Sequence, residues 1–181
     1  MKVLRIILLA LLAFISIPLI IALFTAKDYA VERQIVINKP VGEVFDYVKY
    51  LKNQDNFSKW ASMDPNMKKT FSGEDGTVGF VSAWESDNPD VGKGEQEIIS
   101  ITPGQRIDYE LRFFEPFESK EKAYLITEAA GAEQTIVKWG FKGHMAYPMN
   151  LMLVFMDFEA MLAGDFETGL NNLKSILEGQ S

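Results

Sequence analysis

Between Pro148 and Gly179 the large apolar residues fall at Leu151, Phe155, Phe158, Leu162, Phe166, Leu170, Leu173 and Leu177. Every step between them is three or four residues, the spacing that stacks side chains on one face of an α-helix. The pattern predicts one continuous helix, on the order of 45 Å long at about 1.5 Å per residue. A helix that long with a single apolar stripe must lie on a broad apolar surface, and only the preceding chain can supply one. Gly164 and Gly169 interrupt it at about 1 kcal/mol each relative to alanine. They either let the helix approach its partner closely or mark a bend.

The preceding chain reads as strands, with a helix pair near its start. Tyr29–Ile37 alternates and ends in β-branched residues. Pro40 suits a first helical turn. Val41, Val44, Phe45, Val48 and Leu51 follow at helical spacing, and a second short helix is expected over Asn53–Ala61. Strands are expected over Lys68–Ser72, Thr77–Glu85, Gly94–Thr102, Arg106–Phe113, Lys120–Glu128 and Thr135–Gly143, with turn residues between them. In Arg106–Phe113, Ile107, Tyr109, Leu111 and Phe113 alternate with Asp108, Glu110 and Arg112, the mark of a half-buried antiparallel strand. Short connections imply an antiparallel meander. The expected class is therefore α+β: a sheet of about six to seven strands, curved and covered by the terminal helix.

Ile6–Ala26 carries no charge and is long enough to cross a bilayer core of about 30 Å. A cleaved signal needs small residues before the cut. Cleavage after Ala26 would place Phe24 there, and cleavage after Ala30 would place Asp28 there. Residues 1–27 therefore read as an uncleaved signal anchor, and residues 28–181 as one domain close to the membrane surface. Pro18 is tolerated within a membrane helix. Lys2 and Arg5 favour an inside N-terminus and an extracytoplasmic domain, although Lys27, Arg33 and Lys39 keep the asymmetry small.

The chain has a net charge of −7, and two of its basic residues, Lys2 and Arg5, lie in the anchor, so the domain is more acidic still. Such a domain repels phosphate backbones, which excludes nucleic acid as a partner. There is no cysteine and one histidine, His144. That excludes thiolate chemistry and multi-histidine metal sites, and no metal or cofactor is expected. The glycines at 73, 76, 92 and 94 lack the spacing of nucleotide-binding loops.

Four strings carry a resemblance: ERQIVINKPVGEVFDYV (Glu32–Val48), ITPGQRIDYELRF (Ile101–Phe113), EPF (Glu115–Phe117) and FMDFEAMLAGDFETGLNNLK (Phe155–Lys174). With the element order, they resemble the helix-grip (SRPBCC) superfamily of START domains, birch-pollen-allergen-like proteins and polyketide cyclases. The resemblance covers about Tyr29–Glu178. It is nearest the bacterial polyketide cyclase/dehydrase and lipid-transport group, some members of which also carry an N-terminal membrane helix. A Trp-rich string common after the first helix of that group is reduced here to Trp60, with Phe57 and Ser62 nearby. The resemblance implies a curved antiparallel sheet gripping the C-terminal helix, with a mostly apolar cavity between them. Members bind lipids, sterols, polyketides or other hydrophobic molecules, and a minority catalyse cyclisation or aromatisation. No catalytic residue is transferred.

The expected cavity wall comprises Phe80, Trp84, Tyr109, Leu111, Phe113, Phe117, Trp139 and Phe141 from the strands, with Phe155, Phe158 and Leu162 from the helix. Apolar walls with a few polar groups suit hydrophobic ligands, although buried aromatics are also ordinary core residues. Met145, Met149, Met152, Met156 and Met161 are adaptable filler or a bilayer-facing patch. His144, at the expected rim, is a candidate general base. Asp157, Glu159, Asp165 and Glu167 read as a solvated helix face. The functional expectation is a membrane-anchored binding protein for a hydrophobic small molecule or lipid. The alternatives are a cyclase/dehydratase-like enzyme using His144, Tyr109 or a helix acid, and a protein-interaction module with a filled core.

Overall fold

A computed structural model describes residues 2–179. Helix α1 (Lys2–Phe24) leads into strand β1 (Asp28–Ile37). Helix α2 (Val41–Val48), a 3-10 turn (Leu51–Asn56) and helix α3 (Lys59–Met63) follow. The remaining strands are β2 (Lys68–Ser72), β3 (Val81–Glu85), β4 (Lys93–Thr102), β5 (Arg106–Glu115), β6 (Ser119–Ala129) and β7 (Thr135–His144). A 3-10 turn (Met149–Leu151), a one-turn helix α4 (Met152–Phe155) and helix α5 (Phe158–Glu178) complete the chain. The seven strands form one antiparallel sheet in the order β1-β7-β6-β5-β4-β3-β2. The expected class and helix-grip arrangement hold.

The strand expected from Thr77 starts instead at Val81, because Gly79 takes φ 91° in a turn closed by Phe80 N–H on Thr77 O. The single long helix is also corrected. Met156 is extended, and Asp157 caps a new helix by accepting the Ala160 N–H at 2.9 Å. Aspartate is among the best N-caps because its carboxylate satisfies an orphan amide and favours the positive helix end. Periodicity hides this break, since Phe155 and Phe158 lie three apart on either side of it.

Helix α5 runs along β1. Phe158 at its start packs on Tyr29, with ring centroids 5.5 Å apart. At its end Glu178 accepts the Asn38 N–H and Lys174 donates to Val36 O. Its inner face buries Ala163, Phe166, Leu170 and Leu173. Trp139 is the centre of this core: Phe166 lies 4.8 Å away and Phe57 5.5 Å away, both edge-on. Gly169 sits over the same indole, where an added Cβ would come within 2.6 Å of the ring. Gly164 faces open space. Of the two helix glycines, only Gly169 is therefore required by close approach. Gly169→Ala is expected to lower stability by about 1–3 kcal/mol through overpacking. Gly164→Ala is expected to raise it by up to about 1 kcal/mol through helix propensity. Thermal unfolding of the full chain in detergent checks both; equal effects would refute the packing argument.

The outer face of the sheet is an ionic surface. Arg112 contacts Glu95, Glu97 and Glu110, which raise its pKa and stabilise its charge.

Candidate functional site: a cavity between sheet and helix

Strand register stacks alternate residues of neighbouring strands into rows across the inner face. In one row Ser82 lies opposite Gln96, Gln96 opposite Leu111, and Leu111 opposite Glu121. One step towards the α1 end, Trp84, Gly94, Phe113 and Ser119 follow in the same order. One step the other way lie Ile98, Tyr109, Ala123 and Phe141. Gly94 is small for a reason: a Cβ there would meet the Trp84 ring at 2.6 Å. The indole crosses that gap towards Phe113, with centroids 5.9 Å apart, and its Nε1 donates to Val91 O.

Between these rows and α5 is a cavity of about 350 Å³, within the range of roughly 300–1,000 Å³ usual for small-molecule sites. Phe158, Leu162 and Phe166 of α5 form its other wall. The turn after α2 and helix α3 cover it with Leu51, Gln54, Trp60 and Ala61. The two lining residues that are exposed, Asp90 and Ser119, mark its mouth. Asp90 lies in the β3–β4 loop and Ser119 opens β6, both at the sheet end where β1 starts and α1 attaches.

Of the residues expected on the wall, Trp84, Leu111, Phe113, Trp139 and Phe141 line the cavity from the sheet, and Phe158 and Leu162 line it from α5. Four others do not line it. Phe80 and Tyr109 are buried in the packed core, each only 1% exposed. Burial, with Asp75 and Asp108 nearby, raises the Tyr109 hydroxyl pKa far above the ordinary tyrosine value, so it stays neutral. Phe117 is 74% exposed in the β5–β6 loop, and Phe155 is 77% exposed, because the break at Met156 and Asp157 turns α4 off the sheet. Leu151 and Phe155 therefore do not continue the gripped stripe.

His144 is also relocated. Its Nδ1 lies 2.7 Å from Asp28 Oδ1 on the surface, away from the cavity lining, so it is not placed to act as a base there. Its backbone N–H donates to Glu121 Oε2 at 2.8 Å and so orients a carboxylate that does line the cavity. The helix acids are engaged elsewhere: Glu159 and Glu167 with Arg33, Asp165 with Lys59, and Asp157 as the cap.

Polar lining residues were missed by attention to aromatics alone. Ser82, Gln96 and Glu121 are each at least nine-tenths buried. Their signal in the sequence is a polar residue in phase with the apolar face of its strand, as Ser82 is between Phe80 and Trp84. Burial is the main cause pushing the Glu121 carboxyl above its ordinary range, opposed by the His144 and Ser119 hydrogen bonds. Burial, then the Glu121 charge, pushes the Tyr29 hydroxyl up to about 12, so it stays protonated at the cavity edge. Among the described residues Lys69 is the one basic side chain in the lining, and it is paired with Asp55 at 2.8 Å.

Solved structures with this architecture include norcoclaurine synthase from Thalictrum flavum in complex with dopamine and hydroxybenzaldehyde. It has a TM-score of 0.62 and 9% identity, covering 88% of this chain and 91% of that one. The Aha1 dimer from Colwellia psychrerythraea gives a TM-score of 0.56 and 14% identity, covering 83% and 96%. A structural-genomics protein from Nitrosospira multiformis gives 0.56 and 18%, covering 84% and 100%. At these identities the likeness concerns the fold. Curated proteins give no match. The family model described as polyketide cyclase/dehydrase and lipid transport matches residues 29–178. With the seven-stranded sheet gripping α5, this makes the chain a member of the polyketide cyclase/dehydrase and lipid transport family.

Proposed function

We propose that the protein is a membrane-anchored binding protein that holds a hydrophobic small molecule or lipid between its sheet and α5. The observation that carries this reading is the aromatic-walled cavity with its mouth at the α1 end. Residues 1–27 serve as the anchor and residues 28–181 as the binding domain, on the extracytoplasmic side according to Lys2 and Arg5.

Helix α1 has 23 residues, and an 18-residue window within it has a mean hydropathy of 3.1, so the helix is long and apolar enough to cross a bilayer. Its far end is tied to the domain. The fully buried Asn150 donates from Nδ2 to Ala22 O at 2.7 Å and to Thr25 O at 3.0 Å. Ala22 O is an orphan carbonyl of the last helical turn and Thr25 O lies just beyond it, and cleavage after Ala26 would deprive Asn150 of both partners. The surrounding surface is unusually apolar: Phe117, Met149, Met152, Phe155 and Met161 are all exposed. In water such a patch is a liability, whereas at the level of the bilayer it meets its complement. A cavity mouth held there receives hydrophobic molecules without their crossing water.

The test is extraction of the full chain from membranes with mild detergent, followed by native mass spectrometry and solvent extraction. Co-purified hydrophobic molecules are expected, with the protein in the alkaline-resistant membrane pellet. Release by alkaline carbonate would refute the anchor, and a reproducibly empty protein that takes up no lipid would refute the carrier reading. A C-terminal topology reporter checks the side of the membrane.

A further inference from the structure

The middle row of the cavity floor carries three buried polar side chains around Leu111, between aromatic rows. Ser82 and Gln96 lie opposite one another on β3 and β4, and Glu121 follows across Leu111. They are 6%, 9% and 6% exposed, and all three line the cavity. Ser82 and Gln96 present a hydroxyl and an amide within this lining. Buried polar groups left without a partner are costly, and natural cores keep few of them. Ones that face a cavity are available to whatever occupies it. Glu121 accepts the His144 N–H and a hydrogen bond from Ser119, and a carboxylate has about four acceptor sites, so it retains capacity towards the cavity.

The charge in the lining is one-sided. Glu121 lies in the row and Asp90 at the mouth, while the single lining cation among the described residues, Lys69, is neutralised by Asp55. A carboxylate or phosphate seated here would be desolvated beside Glu121 with no free cation among the described lining residues to compensate. A hydroxyl, amide or amine would instead donate to Glu121 and to the Gln96 carbonyl while accepting from Ser82 or the Gln96 amide. Trp84, Phe113 and Leu111 then hold the apolar part of the same molecule.

We infer that the ligand of this cavity carries a head group that donates hydrogen bonds and bears no negative charge, seated on Ser82, Gln96 and Glu121. This rests on the cavity-binding reading above. It separates neutral or amine-bearing amphiphiles from free fatty acids and phosphorylated lipids.

The experiment uses the full chain in lipid nanodiscs near neutral pH, with uptake of the neutral fluorophore N-phenyl-1-naphthylamine measured against empty nanodiscs. Naphthalene, 2-naphthol and 2-naphthoate are compared as displacers, since they share one ring system and differ in head group. 2-Naphthol is expected to displace the fluorophore at least ~10-fold more effectively than 2-naphthoate, as expected when an anion must be buried unpaired. Glu121→Gln, which removes the charge and keeps an acceptor for the His144 N–H, is expected to narrow the preference for 2-naphthol over 2-naphthoate by about 10-fold. Gln96→Leu is expected to weaken 2-naphthol by roughly 10-fold and leave naphthalene within about twofold.

Equal displacement by 2-naphthol and 2-naphthoate overturns the inference, as does a Gln96→Leu change that weakens naphthalene and 2-naphthol alike. Those outcomes leave the cavity-binding reading standing. Fluorophore uptake no greater than that of empty nanodiscs overturns the cavity reading, and this inference with it.

Discussion

Trp139→Ala is expected to lower the unfolding free energy by about 3–5 kcal/mol, the usual cost of truncating a large buried aromatic. For a chain of this size that corresponds to a fall in Tm of roughly 6–20 °C. The indole is 2% exposed and contacts both layers of the fold. Phe166 of α5, Trp60 of α3 and Phe57 of the covering turn meet it edge-on at 4.8, 6.2 and 5.5 Å, and Gly169 rests on its far edge. Edge-to-face pairs contribute about 0.5–1.5 kcal/mol each beyond area burial, and one truncation removes all three. Nor can the site collapse readily, because Trp139 sits in the paired strand β7 with β1 and β6 on either side. Trp139→Phe, which keeps an aromatic ring, should recover much of the loss. A fall below about 2 °C in thermal unfolding of the alanine variant would show that the residue is not central to the grip.

Ala123→Phe is expected to abolish ligand uptake while the fold survives. Ala123 is the smallest side chain in its row, 5% exposed, between Tyr109 and Phe141, and it borders the cavity. A phenyl ring built there projects into existing space and occupies much of a cavity of about 350 Å³. The expected loss is at least ~100-fold in affinity for the fluorophore, about 2.8 kcal/mol. The stability change should be smaller, because filling a void gains apolar contacts that offset strain. Ala123→Ser, similar in volume, is the control and should bind nearly as well as the parent chain. Undiminished uptake by Ala123→Phe would place the bound molecule elsewhere, with the exposed patch around Phe155 and Phe117 the next surface to examine.

The residues also show where sequence reading succeeds and where it stops. The strand boundaries were legible to within a residue or two over most of the sheet, because alternation and turn chemistry are local. Val81–Glu85 was shortened by Gly79, whose positive φ is permitted by the residue type but not announced by the pattern. The aspartate cap at Asp157 was also readable in principle, but the apolar spacing bridged it and argued for continuity.

By itself the sequence determined the α+β class, the order of elements, the apolar anchor-like segment and an aromatic inner face. Each follows from periodicity, propensity or charge, which act between neighbours in the chain. Only the tertiary structure decided which inward side chains face space and which face one another. Tyr109 and Phe113 share a strand face two steps apart, yet one is packed core and the other cavity wall. That difference depends on how far α5 and the covering turn stand from the sheet at each row. The same holds for Ser82, Gln96 and Glu121, whose row exists only because strands β3 to β6 are held in register by backbone hydrogen bonds.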